Sequence, residues 1–129
     1  MISRLIPLLL LASPVFAQAP VPPPQPPPAG PEWLARGGVE LQALDKVTAR
    51  NRILTLQVGR KIEFGSLTIT AVACLVRPPD QRQDAAAYLD ITDARPDSPA
   101  FHGWMLASEP ALSMLEHPLY DVRVGACRP

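Results

Sequence analysis

Only 5% of this 129-residue chain is aromatic, cysteine and histidine occur twice each, and the formal net charge is zero. Each shortage closes off a class of function. With 12 Lys and Arg balanced by 12 Asp and Glu, there is no basic stripe to hold phosphates, which argues against a nucleic-acid partner. Nor is there a basic amphipathic helix that would lie on a membrane surface. The two cysteines lack C-x-x-C spacing and the two histidines lack H-E-x-x-H spacing, so thiol redox chemistry and a metal centre built on His102 and His117 with Glu116 or Asp121 both lack their usual ligand sets. Gly37-Gly38 has neither a G-x-G-x-x-G pattern nor a Walker lysine, and no cofactor is implied. No apolar run reaches the roughly 20 residues that cross a bilayer.

Proline, by contrast, is abundant, with 17 in the chain. Eight of them lie between Pro20 and Pro31, directly behind a stretch with the layout of a secretory signal peptide. Arg4 forms a positive n-region, Leu5 to Ala12 a short apolar h-region, and Val15-Phe16-Ala17 a small-x-small cleavage site. Cleavage after Ala17 would place the chain in the periplasm and leave no transmembrane helix, since Pro7 and Pro14 also break a spanning helix. The organisation expected is a signal peptide at 1–17, a proline-rich disordered linker at 18–37 and one β-rich domain at 38–129. The linker favours extended polyproline II, about 3.1 Å per residue. It reads first as a passive leader, then as a stalk, and last as a ligand for a proline-binding partner.

An exported chain with an even number of cysteines is expected to close a disulfide, here Cys74–Cys127. Strand parity puts Cys74 with Thr68 and Thr70, and Cys127 with Asp121 and Arg123. Both thiols are therefore expected on the polar side of their strands, bridged outside the main core.

From Val39 onward the pattern is β. Short runs at Val39–Gln42, Ile53–Val58, Leu67–Val76, Ala87–Thr92, Phe101–Ala107 and Tyr120–Cys127 are separated by Gly, Pro and Asp-rich turns. Lys46 falls on hairpin surface. Ser108-Glu109-Pro110 looks like a helix start, and His117-Pro118 ends that helix. The fold expected is mainly β, a small antiparallel sandwich or partly open barrel with one short helix near 109–116.

The segment from Phe101 to Val122 is densest in chemistry. Ser108 or Ser113 with His117 and Asp121 offers the residue types of a hydrolase, although no G-x-S-x-G elbow is present. Asp90 and Asp93, at a strand end before a proline loop, read as turn formers and not as a hydrolytic carboxylate pair. On a structural reading, Trp104, Met105, Leu106, Leu112, Met114 and Leu115 close the core, and the His117 imidazole caps the helix or binds backbone. On a binding reading, Trp104, Tyr120 and Arg123 are the anchor types enriched at interfaces.

Leu44-Asp45-Lys46-Val47-Thr48-Ala49-Arg50, Phe64-Gly65-Ser66-Leu67-Thr68-Ile69, Gly103-Trp104-Met105, Ser108-Glu109-Pro110-Ala111-Leu112 and Leu115-Glu116-His117-Pro118-Leu119-Tyr120-Asp121-Val122 resemble the family of short exported proteins known as domain of unknown function 2155. The resemblance runs over nearly all of Val39 to Cys127, with His102 and Arg123 as its atypical positions. It implies a Gram-negative envelope location and lends no activity. The function expected is a non-enzymatic binding or structural module whose partner is an envelope protein or a cell-wall component; the alternative is the hydrolase.

Overall fold

A computed structural model describes residues 12–20 and 32–129. Residues 12–20 carry no regular structure and are exposed. Most of the expected signal peptide, and of the proline run, lies outside the described residues.

Among the described residues, eight strands form two antiparallel sheets: β1 (Leu34–Arg36), β2 (Gly38–Asp45), β3 (Arg50–Gln57), β4 (Lys61–Phe64), β5 (Leu67–Val76), β6 (Ala85–Asp93), β7 (Phe101–Leu106) and β8 (Tyr120–Arg128). One sheet runs β1-β5-β6-β7, with β4 paired to the other half of the β5 edge that β1 occupies. The second runs β3-β2-β8. The chain passes from one sheet to the other at Gly37, between β1 and β2. The fold is thus a two-sheet sandwich and not a closed barrel. β1 falls inside the stretch 18–37 that the sequence assigns to the linker, so strand pairing begins ahead of the expected boundary.

Alternation explains the core. Val39, Leu41 and Ala43 of β2 face Leu67, Ile69 and Ala71 of β5 and Ala87, Leu89 and Ile91 of β6 across the interior. Leu54, Leu56, Val122, Val124, Met105 and Leu115 complete it. Period-2 patterning of this kind buries one face per strand, at about 25 cal/mol per Å² of apolar surface removed from water.

Two bulges break the parity. Against β6, Ala71 pairs with Leu89 but Ala73 pairs with Tyr88, which leaves Val72 as the extra residue on β5, half exposed. Against β2, Val124 pairs with Leu41 but Ala126 pairs with Glu40, which leaves Gly125 extra on β8. Each inserted residue reverses the facing of everything after it. Cys74, 1% exposed, and Cys127 therefore both turn inward, and their disulfide links β5 to β8 between the sheets, with Cα atoms 5.8 Å apart. This corrects the expectation of a bridge outside the core. The strands were rightly expected to be neighbours, but strict alternation put the thiols on the wrong face.

The short helix expected near 109–116 is present, reduced to one turn. Residues 109–116 form a single 3-10 turn, Pro110–Leu112, that buries none of its residues, and Ser113 is already extended. The expected hydroxyl cap is engaged elsewhere, because Ser108 bonds Asp84. Without an apolar stripe to bury, and with Pro118 close behind, a longer helix has nothing to hold it. Only Leu115 reaches the core, while Leu112 and Met114 stay exposed.

Candidate functional site

The Ser–His–Asp set does not converge. Ser108 Oγ donates to Asp84 Oδ2 at 2.7 Å, and Asp84 Oδ1 accepts from the Ser108 amide at 3.0 Å. His117 instead bonds Asp93. Asp84 immediately precedes β6 and Asp93 ends it, so the two acids are separated by the nine-residue length of that strand, roughly 30 Å. Asp121 pairs with Arg123 at 3.0 Å on the β8 surface. Ser113 lines an apolar groove. None of the three other catalytic candidates bonds the histidine.

His117 is moreover committed on both ring nitrogens. Its Nδ1 accepts from the Leu119 amide at 3.0 Å, and its Nε2 lies 2.8 Å from Asp93 Oδ2, so the pattern assigns the proton to Nε2. Its side chain is wholly buried. No nitrogen is left to take a proton from a nucleophile, as a general base must. This is the backbone-binding turn histidine of the structural reading, with a carboxylate partner that the sequence did not single out.

Around that pair a compact polar knot forms at one end of the sandwich. Asp93 Oδ1 accepts from the Arg95 amide at 2.9 Å, and Asp93 Oδ2 meets the Arg95 guanidinium at 3.1 Å. The Arg95 side chain foremost, and then its amide, hold the Asp93 carboxyl well below the usual carboxylate range, although burial opposes this. Tyr120 packs 5.1 Å from the His117 ring and edge-on to Phe64, with its hydroxyl accepting from the Ser66 amide at 3.3 Å. Gly65, at φ +58°, turns the β4–β5 hairpin directly beneath that hydroxyl; a Cβ there would lie 2.7 Å from Tyr120 Cζ. Lys46 Nζ donates to the His117 carbonyl at 2.8 Å, and its amide to the Leu119 carbonyl at 2.9 Å. Asp45 turns the β2–β3 hairpin by accepting from the Val47 and Thr48 amides.

Lys46 is therefore a tie between the β2–β3 hairpin and the loop that leads into β8, and not merely hairpin surface. Asp93 serves as a turn former, as expected, and also as the histidine's partner. Tyr120, named above as a binding anchor, belongs to the core; its position is inward because β8 starts in phase with Val122 and Val124. Arg123 is half exposed and ion-paired. His102 bonds Asp90 at 2.8 Å across β6 and β7 on the surface. Among the described residues no group of three or more His, Cys, Asp or Glu is placed to hold a metal ion, and no helix is long and apolar enough to cross a membrane.

Trp104 keeps its role as a surface anchor. It is 43% exposed on the outer face of the β1-β5-β6-β7 sheet and meets Tyr88 edge-on at 5.4 Å. Leu75, Ala86 and Leu106 are cross-strand partners in one row of that face. With Trp33, Trp104 and Leu112 they line a groove of about 420 Å³, in which Ser113 is the one polar residue. The Arg77 guanidinium lies over Trp33 at 4.0 Å. The opposite outer face, on the β3-β2-β8 sheet, carries Glu40, Gln42, Thr55 and Arg123, with Ile53 as its large exposed apolar residue. The two exteriors of the sandwich thus differ in kind. Trp33 carried no signal in the sequence because it falls in the stretch read as linker.

Fold and site define a class: a small antiparallel sandwich, bridged between its sheets by a disulfide, with an apolar groove on one outer face. Within that class the chain belongs to the family described as "Uncharacterized protein conserved in bacteria (DUF2155)", which matches residues 39–127. It is 32% identical over 88 residues to uncharacterized protein RP359 of Rickettsia prowazekii, covering 66% of this chain and 57% of that protein. The chain thus spans little more than half the length of that relative. No solved structure matches it.

Proposed function

We propose that this protein is exported to the bacterial envelope and acts there by binding, through the outer face of the β1-β5-β6-β7 sheet. The observation that carries the reading is the groove itself. It gathers both tryptophans of the chain on a face where a solvated sheet would alternate to polar residues. The signal-peptide layout at 1–17 and the Cys74–Cys127 bridge support export, since such bridges persist in oxidising compartments. The chemistry offered by Ser108, Ser113, His117 and Asp121 supports no hydrolytic reading, because the groups are dispersed and the histidine is occupied.

The test is a photocrosslinking residue at Leu112, which is 70% exposed at the groove rim, in the full chain expressed in its own host. The expected result is a discrete adduct with an envelope component that disappears when Trp104→Ala is added. A ladder of unspecific products, unchanged by Trp104→Ala, would refute the reading.

A further inference from the structure

The groove's chemistry is selective about what can lie in it. Among its lining residues only Ser113 has a polar side chain. An ordinary peptide laid on such a surface would bury backbone N–H groups with almost nothing to accept from them, at about 1–3 kcal/mol for each unsatisfied donor. A proline run has no such groups, and its polyproline II form is set before binding, so it loses little entropy on docking. Aromatic-lined grooves hold proline-rich segments for these reasons.

The chain carries such a segment a few residues ahead of Trp33 in sequence. Pro22-Pro23-Pro24-Gln25-Pro26-Pro27-Pro28 has a single backbone N–H, at Gln25. Its tether is Ala29-Gly30-Pro31-Glu32, and the next residue, Trp33, is itself a groove wall. The row from β1 across β5 and β6 to β7 spans three inter-strand steps, roughly 14 Å. Four tether residues reach about 13 Å when extended, and Gly30 permits the reversal. Seven residues of polyproline II extend about 22 Å, enough to cross the row. A tether this short presents the segment at an effective concentration on the order of millimolar, so weak intrinsic affinity suffices.

We infer that the groove formed by Trp33, Leu75, Ala86, Trp104, Leu106 and Leu112 binds the proline block 22–28 of the same chain. The inference rests on the reading of this face as the binding surface and identifies what it holds when no other component is bound.

The two tryptophans of the chain both line the groove, so tryptophan fluorescence, excited at wavelengths where Tyr88 and Tyr120 do not absorb, reports on this site. The test compares the full chain with one in which Pro22, Pro23, Pro24, Pro26, Pro27 and Pro28 are replaced by Ser, with near- and far-ultraviolet circular dichroism confirming a common fold. The expected result is emission at longer wavelength and stronger acrylamide quenching in the serine chain, with the native spectrum independent of protein concentration. Identical spectra and quenching would overturn the inference. A native spectrum that changes with concentration, accompanied by a dimer in sedimentation, would overturn it in favour of a second copy as occupant. The Leu112 crosslink separates this inference from the reading beneath it. Emptying the groove should raise the yield of the envelope adduct in the serine chain. An unchanged adduct with unchanged fluorescence removes only the proline docking, whereas no adduct in either chain removes the binding surface.

Discussion

Replacing Cys74 and Cys127 together tests the most consequential feature of the fold, the inward turn of both thiols. The bridge closes a 53-residue separation, which in the chain-entropy account contributes about 4 kcal/mol. At about 4–8 °C per kcal/mol for a domain near 100 residues, the double Ala variant should melt about 16–32 °C below the oxidised protein. The double Ser variant should fall lower still. Cys74 is 1% exposed, so a serine hydroxyl at that position is desolvated, costing about a further 1–3 kcal/mol, whereas at position 127 the Leu75 carbonyl, 3.5 Å from the Cys127 sulfur, is placed to accept from it. Circular dichroism melts of the three proteins, with chemical denaturation to check that m-values agree, measure both differences. A bridge outside the core would leave the Ala and Ser variants superimposed, and that result would refute the inward placement. A loss under about 1 kcal/mol in the Ala variant would separately refute the entropic account.

Gly65→Ala should destabilise by about 2–5 kcal/mol, from a left-handed backbone carrying a Cβ and from collision with Tyr120; adding Tyr120→Phe should recover part of it in a double-mutant cycle by urea denaturation, and strict additivity would count against the collision. Because the Asp93 carboxyl titrates below its unfolded value of 3.8, its contribution is complete above that value and declines as pH falls through and below it. Asp93→Asn should flatten that acid-side loss in a stability-against-pH series, and a slope equal to the native one would exclude Asp93 as its source. Trp104→Ala should lower the melting temperature by no more than about 2–12 °C, losing the Tyr88 edge contact worth about 0.5–1.5 kcal/mol, while abolishing the Leu112 crosslink. A large stability loss would show Trp104 to be structural.

The strands could be read from the sequence wherever alternation was uninterrupted. Leu67, Ile69 and Ala71 announced their inward face, and so did Leu89 and Ile91. The reading failed where one residue changed the phase. Val72 continues an apolar run and Gly125 sits among residues of either facing, so neither marks a bulge without its partner strand in view. β1 was lost to the proline run before it, and β4 is too short to show a period. At the polar knot, His117-Pro118 was legible as a turn that binds backbone. Its acid could not be found, because Asp93 lies 24 residues away in sequence and reaches it only when β6 and β8 are brought to the same end of the sandwich. Tyr120 was misplaced for a different reason. Aromatic character signals an anchor, but its alternation with Val122 and Val124 already set it on the inward face of β8.

The chain changes sheets at Gly37, and that crossing has a mechanical consequence. Arg36, just before it, pairs with Cys74, and Val39, just after it, pairs with Cys127. The covalent bridge therefore runs alongside the place where the N-terminal segment joins the folded body. A pull on that segment first meets the three residue pairs of β1, then the central strand of the other sheet, flanked by the half of the molecule that the bridge locks to β5. Tension from the N-terminal side is borne by β1 and then by the ladders that join β2 to β3 and β8, and only the chain between Cys74 and Cys127 is shielded from extension by the covalent bridge.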